Sequence, residues 1–350
     1  MRNVSNECHN NNNLCLNSKA FLMSLEIVEL LILEEVNAIE EKIKQRWTSI
    51  EEVENVFRYK LNVEKRKIIP GKFRFFVEFN PDRTTLRRKP QTITSIVPTF
   101  NESEFNFNKI NQKEILFNVK LRHSEAPVTF LINNSPLTKY HTLLVPRLNE
   151  NLPQLLTRES IAFAIELLHS LNDNYFRIGY NSPGAFASVN HLHFHLMYIE
   201  QRLFIDDVEF YRLVKHIYRI TDKYPSKGYC FLLTESTSDK DEIINDIAKL
   251  IEYFCAASLS HNIYCTKEDS KDGNGSVVKI FVFPRANIQG IKEFSSFNVA
   301  FCELSGYIPI GDIETFHQIT ENSIVGKIDI TCGNIANEIE NDVIRLYSDK

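Results

Sequence analysis

The chain has 350 residues, 43% of them hydrophobic and 24% charged, with a formal net charge of −5 at pH 7. That supplies apolar material for one large or two medium domains, and the negative balance argues against a dedicated nucleic-acid binder. An anionic substrate would have to be met by a local positive pocket.

In chain order, residues 1–20 are rich in asparagine and nearly free of hydrophobic pattern, which predicts a disordered tail. Glu26 and Glu29 interrupt the apolar run that starts at Phe21, and no charged n-region precedes it, so neither a signal peptide nor a membrane span is expected. Leu25, Leu30, Leu33, Val36, Ile39 and Ile43 recur at helical spacing and predict an amphipathic helix over residues 24–47. Residues 72–79 alternate as a strand and feed Asn80, Pro81, Asp82 and Arg83, read as a turn with proline in second place. Arg83, Arg87, Arg88 and Lys89 follow as a basic cluster. Guanidinium forks match phosphate oxygens, although loop charges are more commonly a solvated surface.

Strands are predicted at 115–121, 128–133 and 141–146, then a helix opened by Thr157 or Ser160 and running to 171. His141 reads as a structural histidine at a strand start. The most informative stretch comes next: His191, His193 and His195 alternate with Leu192, Phe194 and Leu196. On a strand the three imidazoles share one face and the apolar residues fill the core behind them. Such a row serves a zinc site, or phosphorus chemistry in which one imidazole attacks and its neighbours assist, or simply a hydrogen-bonded core strand. Asn181, Gly184 and Ser188, just upstream, supply small side chains and donors that suit a phosphate better than a metal.

Residues 206–224 then read as a helix, 229–234 as a strand, and 239–259 as a helix capped by Ser238. The run from His261 to Arg285 echoes the strand pair that ends at Arg147, but carries no histidine row. The expected fold class is α+β, with two related halves of antiparallel sheet and packed helices and the second half lacking the triad. The expected division is a tail at 1–20, a catalytic half at 21–205 and a degenerate half at 206–350. Seven cysteines, an odd number without a Cys-x-x-Cys pair, point to a reducing compartment and hence the cytoplasm.

The pattern N-x(6)-S-V-N-H-L-H-F-H, from Asn181 to His195, resembles the histidine-triad superfamily. The segments at 69–83, 87–93, 105–110, 114–117 and 297–306 are similar to one branch of it, the GDP-hexose phosphorylases. The resemblance implies a histidine-triad-like fold. It also implies a nucleotidyltransferase acting on a GDP-sugar such as GDP-D-glucose and on inorganic phosphate, without a metal or other cofactor. It makes the middle histidine, His193, the nucleophile and gives His191 an ordering role. His195 and Ser188 would hydrogen-bond the phosphate or leaving oxygen, and Arg83 would join them in binding substrate. The plant relatives and the uridylyltransferases carry glutamine where His195 stands, whereas histidine-triad hydrolases carry histidine. A nucleotidyl hydrolase and a zinc- or nucleotide-binding module are therefore the competing readings.

Overall fold

The computed structural model describes residues 28–36, 38–235, 237–270, 273, 275–285 and 297–348. In chain order its strands are β1 (Leu30–Ile32), β2 (Lys65–Ile68), β3 (Phe76–Phe79), β4 (Ile115–Lys120), β5 (Val128–Ile132), β6 (Thr142–Pro146) and β7 (Phe176–Asn181). They continue as β8 (Phe194–Tyr198), β9 (Phe210–Val214), β10 (Ile217–Ile220), β11 (Tyr229–Thr234), β12 (His261–Asp269), β13 (Ser276–Pro284) and β14 (Tyr307–Ile310). The helices that matter below are α1 (Ile39–Glu51), α2 (Asp82–Leu86), α3 (Arg158–Ser170), α4 (Lys240–Ala256) and α5 (Phe301–Ser305).

One 11-stranded sheet runs in the order β1-β4-β5-β6-β8-β7-β12-β13-β11-β10-β9. All of its strands but β1 belong to a topological repeat. Strands β4, β5 and β6, then α3, then β7 and β8 are matched by β9, β10 and β11, then α4, then β12 and β13. The two units meet where β7 pairs antiparallel with β12, Asn181 opposite Asn262. This α+β arrangement of two related halves is the one expected. The register of the echo is not, because β12 and β13 hold the places of β7 and β8, not of β5 and β6. A strand ending in Pro-Arg is too common a pattern to fix that alignment.

The sheet is covered on both sides. Leu192, Phe194 and Leu196 join Ile178, Tyr180 and the buried faces of α1, α3 and α4 in one core. Met197, Phe281 and Phe283 face the other way, onto Phe75, Val77 and Phe79 beside β3 and onto Phe301. Thr157 caps α3, its hydroxyl accepting from the Ser160 N–H. The helix then buries Ile161, Ile165 and Leu168, each contributing about 1.5–3 kcal/mol. Strands β4, β5, β6 and β11 and helices α3 and α4 lie within a few residues of their predicted places.

Other segments depart from expectation for local reasons. The part of the 24–47 helix that lies within the described residues is a strand, a short 3-10 turn and then α1. Ala38, held at φ 58°, breaks the run, and β1 pairs parallel with β4. The 72–79 strand is confined to β3, because Arg74 adopts φ 49°. Pro81 opens α2 where a turn was expected. Residues 206–224 form the hairpin β9–β10, turned at Lys215 with φ 44°. Asp239, not Ser238, is the N-terminal cap of α4; the Ser238 hydroxyl donates to its carboxylate at 2.8 Å. The expected disordered tail lies outside the described residues.

Candidate active site

The histidine row is only partly a strand. Strand β8 begins at Phe194, so His195 lies on it while His191 and His193 belong to the extended end of the connection from β7. Alternation nevertheless holds, with Leu192 and Phe194 buried in the core. The His193 and His195 rings stand 5.1 Å apart. The His191 ring turns instead to Phe100 and Phe107, at 5.2 and 5.4 Å.

Two of the three rings have a specified proton. Nδ1 of His193 lies 2.7 Å from the His191 carbonyl and 2.9 Å from Oε1 of Gln154, both acceptors. It must therefore carry the hydrogen, which leaves the lone pair on Nε2. Nδ1 of His191 accepts from the Phe107 N–H at 3.2 Å. Burial lowers the His191 pKa to about 4, slightly offset by the Leu148 carbonyl, so the ring stays neutral at pH 7.

Gln154, fully buried in the loop before α3, was not singled out from sequence. Its Oε1 also accepts from the His193 N–H, and its amide nitrogen donates to the carbonyls of Asn181 and His193. One side chain thus fixes the backbone and the tautomer of His193 together. No local pattern marks a lone glutamine for that task.

His195 lines a cavity of about 120 Å³ together with Ser188, Arg83, Arg87, Arg88 and His141. The predicted cluster therefore reaches the histidines through three arginines, while Lys89 is exposed and outside the lining. Nη1 of Arg83 is buried and has no hydrogen-bond partner among the described residues. Burial, reinforced by Arg83 beside it, lowers Arg87 to about 10, and burial does the same to Arg88, so both remain charged at neutral pH. His141, expected to be structural, places its Nε2 3.0 Å from Nδ1 of His195.

Asn181 and Gly184 lie outside that lining. The Asn181 side-chain oxygen accepts from Asn262 at 2.6 Å and from the Phe301 N–H at 3.3 Å, tying the two halves together. Gly184 is buried in the turn after β7 with φ 75°, a conformation glycine adopts without strain. Gly179 was also missed. A Cβ there would meet the Phe301 ring at 2.1 Å, so its bare backbone makes the slot in which Phe301 lies against His195, ring centres 5.4 Å apart.

A larger recess, about 830 Å³, lies between α3, α4 and residues 121–126 and contains none of these side chains. Its basic residues are largely spent on acidic neighbours, as in the Arg158–Asp241 and Lys240–Glu166 pairs. Among the described residues, the grouping of three possible metal ligands is His216, Glu242 and Asp246, away from the triad. No helix of the described residues is long and apolar enough to cross a membrane.

Comparison with known proteins places the chain in a family. Residues 38–197 match the family model described as "GDPGP1-like, N-terminal domain", and residues 201–329 match "GDPGP1-like, C-terminal domain". GDP-D-glucose phosphorylase 1 of Danio rerio is 36% identical over 81% of this chain and 83% of its own length. The Homo sapiens protein of the same name is 34% identical over 78% of this chain and 74% of its own. GDP-L-galactose phosphorylase 2 of Arabidopsis thaliana is 29% identical over 76% of this chain and 66% of its own. The fold is shared with yeast Ap4A phosphorylase Apa2 in complex with Ap4A, at TM-score 0.61 and 16% identity over 85% of this chain and 98% of that one.

Proposed function

Because the chain belongs to the GDPGP1-like family, we propose that it catalyses the phosphorolysis of GDP-D-glucose, giving GDP and glucose 1-phosphate. The observation that carries the chemistry is the state of His193: Nδ1–H is held by two acceptors, which leaves the lone pair on Nε2, and its ring stands 5.1 Å from that of His195, which lines the arginine-bearing cavity.

In the first step Nε2 of His193 attacks the α-phosphorus, and the bond from that phosphorus to the bridging oxygen breaks. Glucose 1-phosphate leaves with the bridging oxygen and its electron pair. In the second step an oxygen of inorganic phosphate attacks the same phosphorus, the phosphorus–nitrogen bond breaks, and GDP forms. Splitting one displacement into two lowers each barrier, and the positive charge that the ring gains on attack is stabilised by the Gln154 and His191 acceptors. His195 and Ser188 stand beside Arg83, Arg87 and Arg88, where donors meet charge developing on phosphate and leaving oxygens. His191 orders the site through its carbonyl and through its grip on Phe107. Asn181 and Gly184 shape the connection that carries these groups.

The buried free thiols of Cys230, Cys265 and Cys332 support a reducing compartment, and we place the protein in the cytoplasm. The test of function uses GDP-glucose labelled in the guanosine. Without phosphate, acid-labile label accumulates on His193 to at most one equivalent, and added phosphate discharges it as GDP. Release of GMP at one rate with and without phosphate would instead establish a hydrolase.

A further inference from the structure

His141 is buried at the start of β6, across the sheet from His195, and N–H groups surround its ring. The Leu137 N–H donates to Nδ1 at 3.0 Å. The Asn133 side-chain oxygen accepts from the Ser135 N–H, which turns the Asn133 amide nitrogen to the same ring, 3.2 Å from Nε2. A neutral imidazole has one donor and one acceptor, and the backbone donor claims Nδ1, so the proton of His141 is on Nε2. The Asn133 amide group offers no acceptor and does not compete for it. What Nε2–H meets is Nδ1 of His195, 3.0 Å away.

We infer that His141 is a positioning residue that fixes His195 as the tautomer protonated on Nε2 and bars a second proton from its Nδ1. A proton added at Nδ1 of His195 would point at the Nε2–H of His141. Protonating His141 further is no remedy, since its other nitrogen faces the Leu137 N–H. Burial, with Arg83 and His193 nearby, lowers the His141 pKa to about 3, in keeping with a ring that stays neutral.

The consequence reaches the chemistry, and here the inference rests on the phosphorolysis reading. His195 can donate a hydrogen bond from Nε2, but it cannot hand that proton over, because Nδ1 has no proton to inherit and the ring would be left anionic. A histidine held in this way does the work of a glutamine amide: a fixed neutral donor that stabilises charge without titrating. The glutamine of the plant relatives and the histidine of this chain are then chemically equivalent at this place.

The first test needs no turnover and so stands apart from the functional reading. In protein labelled with 15N-histidine, the ring signals of His195 are identified by their loss in His195→Gln. They are expected to show an unprotonated Nδ1 and a protonated Nε2 throughout pH 8 to 6. A protonated Nδ1 anywhere in that range overturns the assignment. The second test is a double-mutant cycle on phosphorolysis. His141→Phe is expected to lower kcat by about tenfold or more in the otherwise unmodified enzyme, as misplacement of a donor does. In the His195→Gln background the same change is expected to cost less than about twofold, because glutamine cannot adopt the wrong tautomer. Equal losses in both backgrounds would make His141 merely structural. If His141→Phe fails to fold, the spectra of the unmodified protein decide alone.

Discussion

The two five-stranded units share one strand order and differ in the connection at one end. In the first, β7 and β8 are joined by residues 182–193, which carry His191 and His193 and bring Ser188 to the cavity that three arginines line. In the second, β12 and β13 are joined over residues 270–275, a link half as long. There Ser276 donates to Glu235 at 2.6 Å, and Lys279 pairs with Glu268 at 2.8 Å. Positive side chains line a cavity beside the first unit, whereas the second pairs its own with acidic neighbours. Topology therefore sets where a site can be built, and the loop composition decides whether one is.

The largest effect expected on that contrast is from His193→Ala, which should lower phosphorolysis at least about a thousandfold. Leu192 and Phe194 stay buried behind it, so the circular dichroism spectrum should not change. A variant keeping a tenth of the activity would mean that the chemistry lies elsewhere. Arg83→Gln removes a buried donor that has no partner among the described residues, and a loss of about 100-fold in kcat/KM is expected, with stability nearly unchanged. A large drop in melting temperature with little kinetic effect would recast Arg83 as a packing residue.

Acid should destabilise the fold. His141 is lowered to about 3, and His191 and His261 to about 4, chiefly by burial. The unfolded chain takes up these protons near pH 6.5 and the folded one refuses them, so stability present above that pH is lost as pH falls towards 4. Each such group contributes about 1.4 kcal/mol per pH unit inside the window. Urea unfolding at pH 6 and pH 5 checks this, and equal midpoints would contradict the buried neutral rings. The smallest effect belongs to the second unit. Ser276→Ala should cost about 1 kcal/mol of stability and leave kcat within twofold. A tenfold loss of activity would place chemistry in the unit read as degenerate.

Much of the site was legible because it is written in local patterns. Strict alternation gave the face of His193 and His195, and the arginine cluster could be read as a phosphate ligand before its position was known. What escaped depends on chain crossings. Gln154 reaches His193 across 39 positions and His141 reaches His195 across 54, distances over which no periodicity operates. In the same way, the hairpin β9–β10 was mistaken for a helix because single-sequence periodicity cannot see a turn at Lys215 with positive φ.

The slot at Gly179 bears on when the enzyme becomes competent. Phe301 fills it and also donates its N–H to Asn181, 120 positions earlier. During synthesis the triad, its glutamine clamp and the arginines all leave the ribosome long before Phe301 does. The nascent first unit can form its hairpins from local contacts, but the wall beside His195 waits for a closure across 120 positions. Activity should thus be the last property to appear on refolding, lagging behind the recovery of sheet structure.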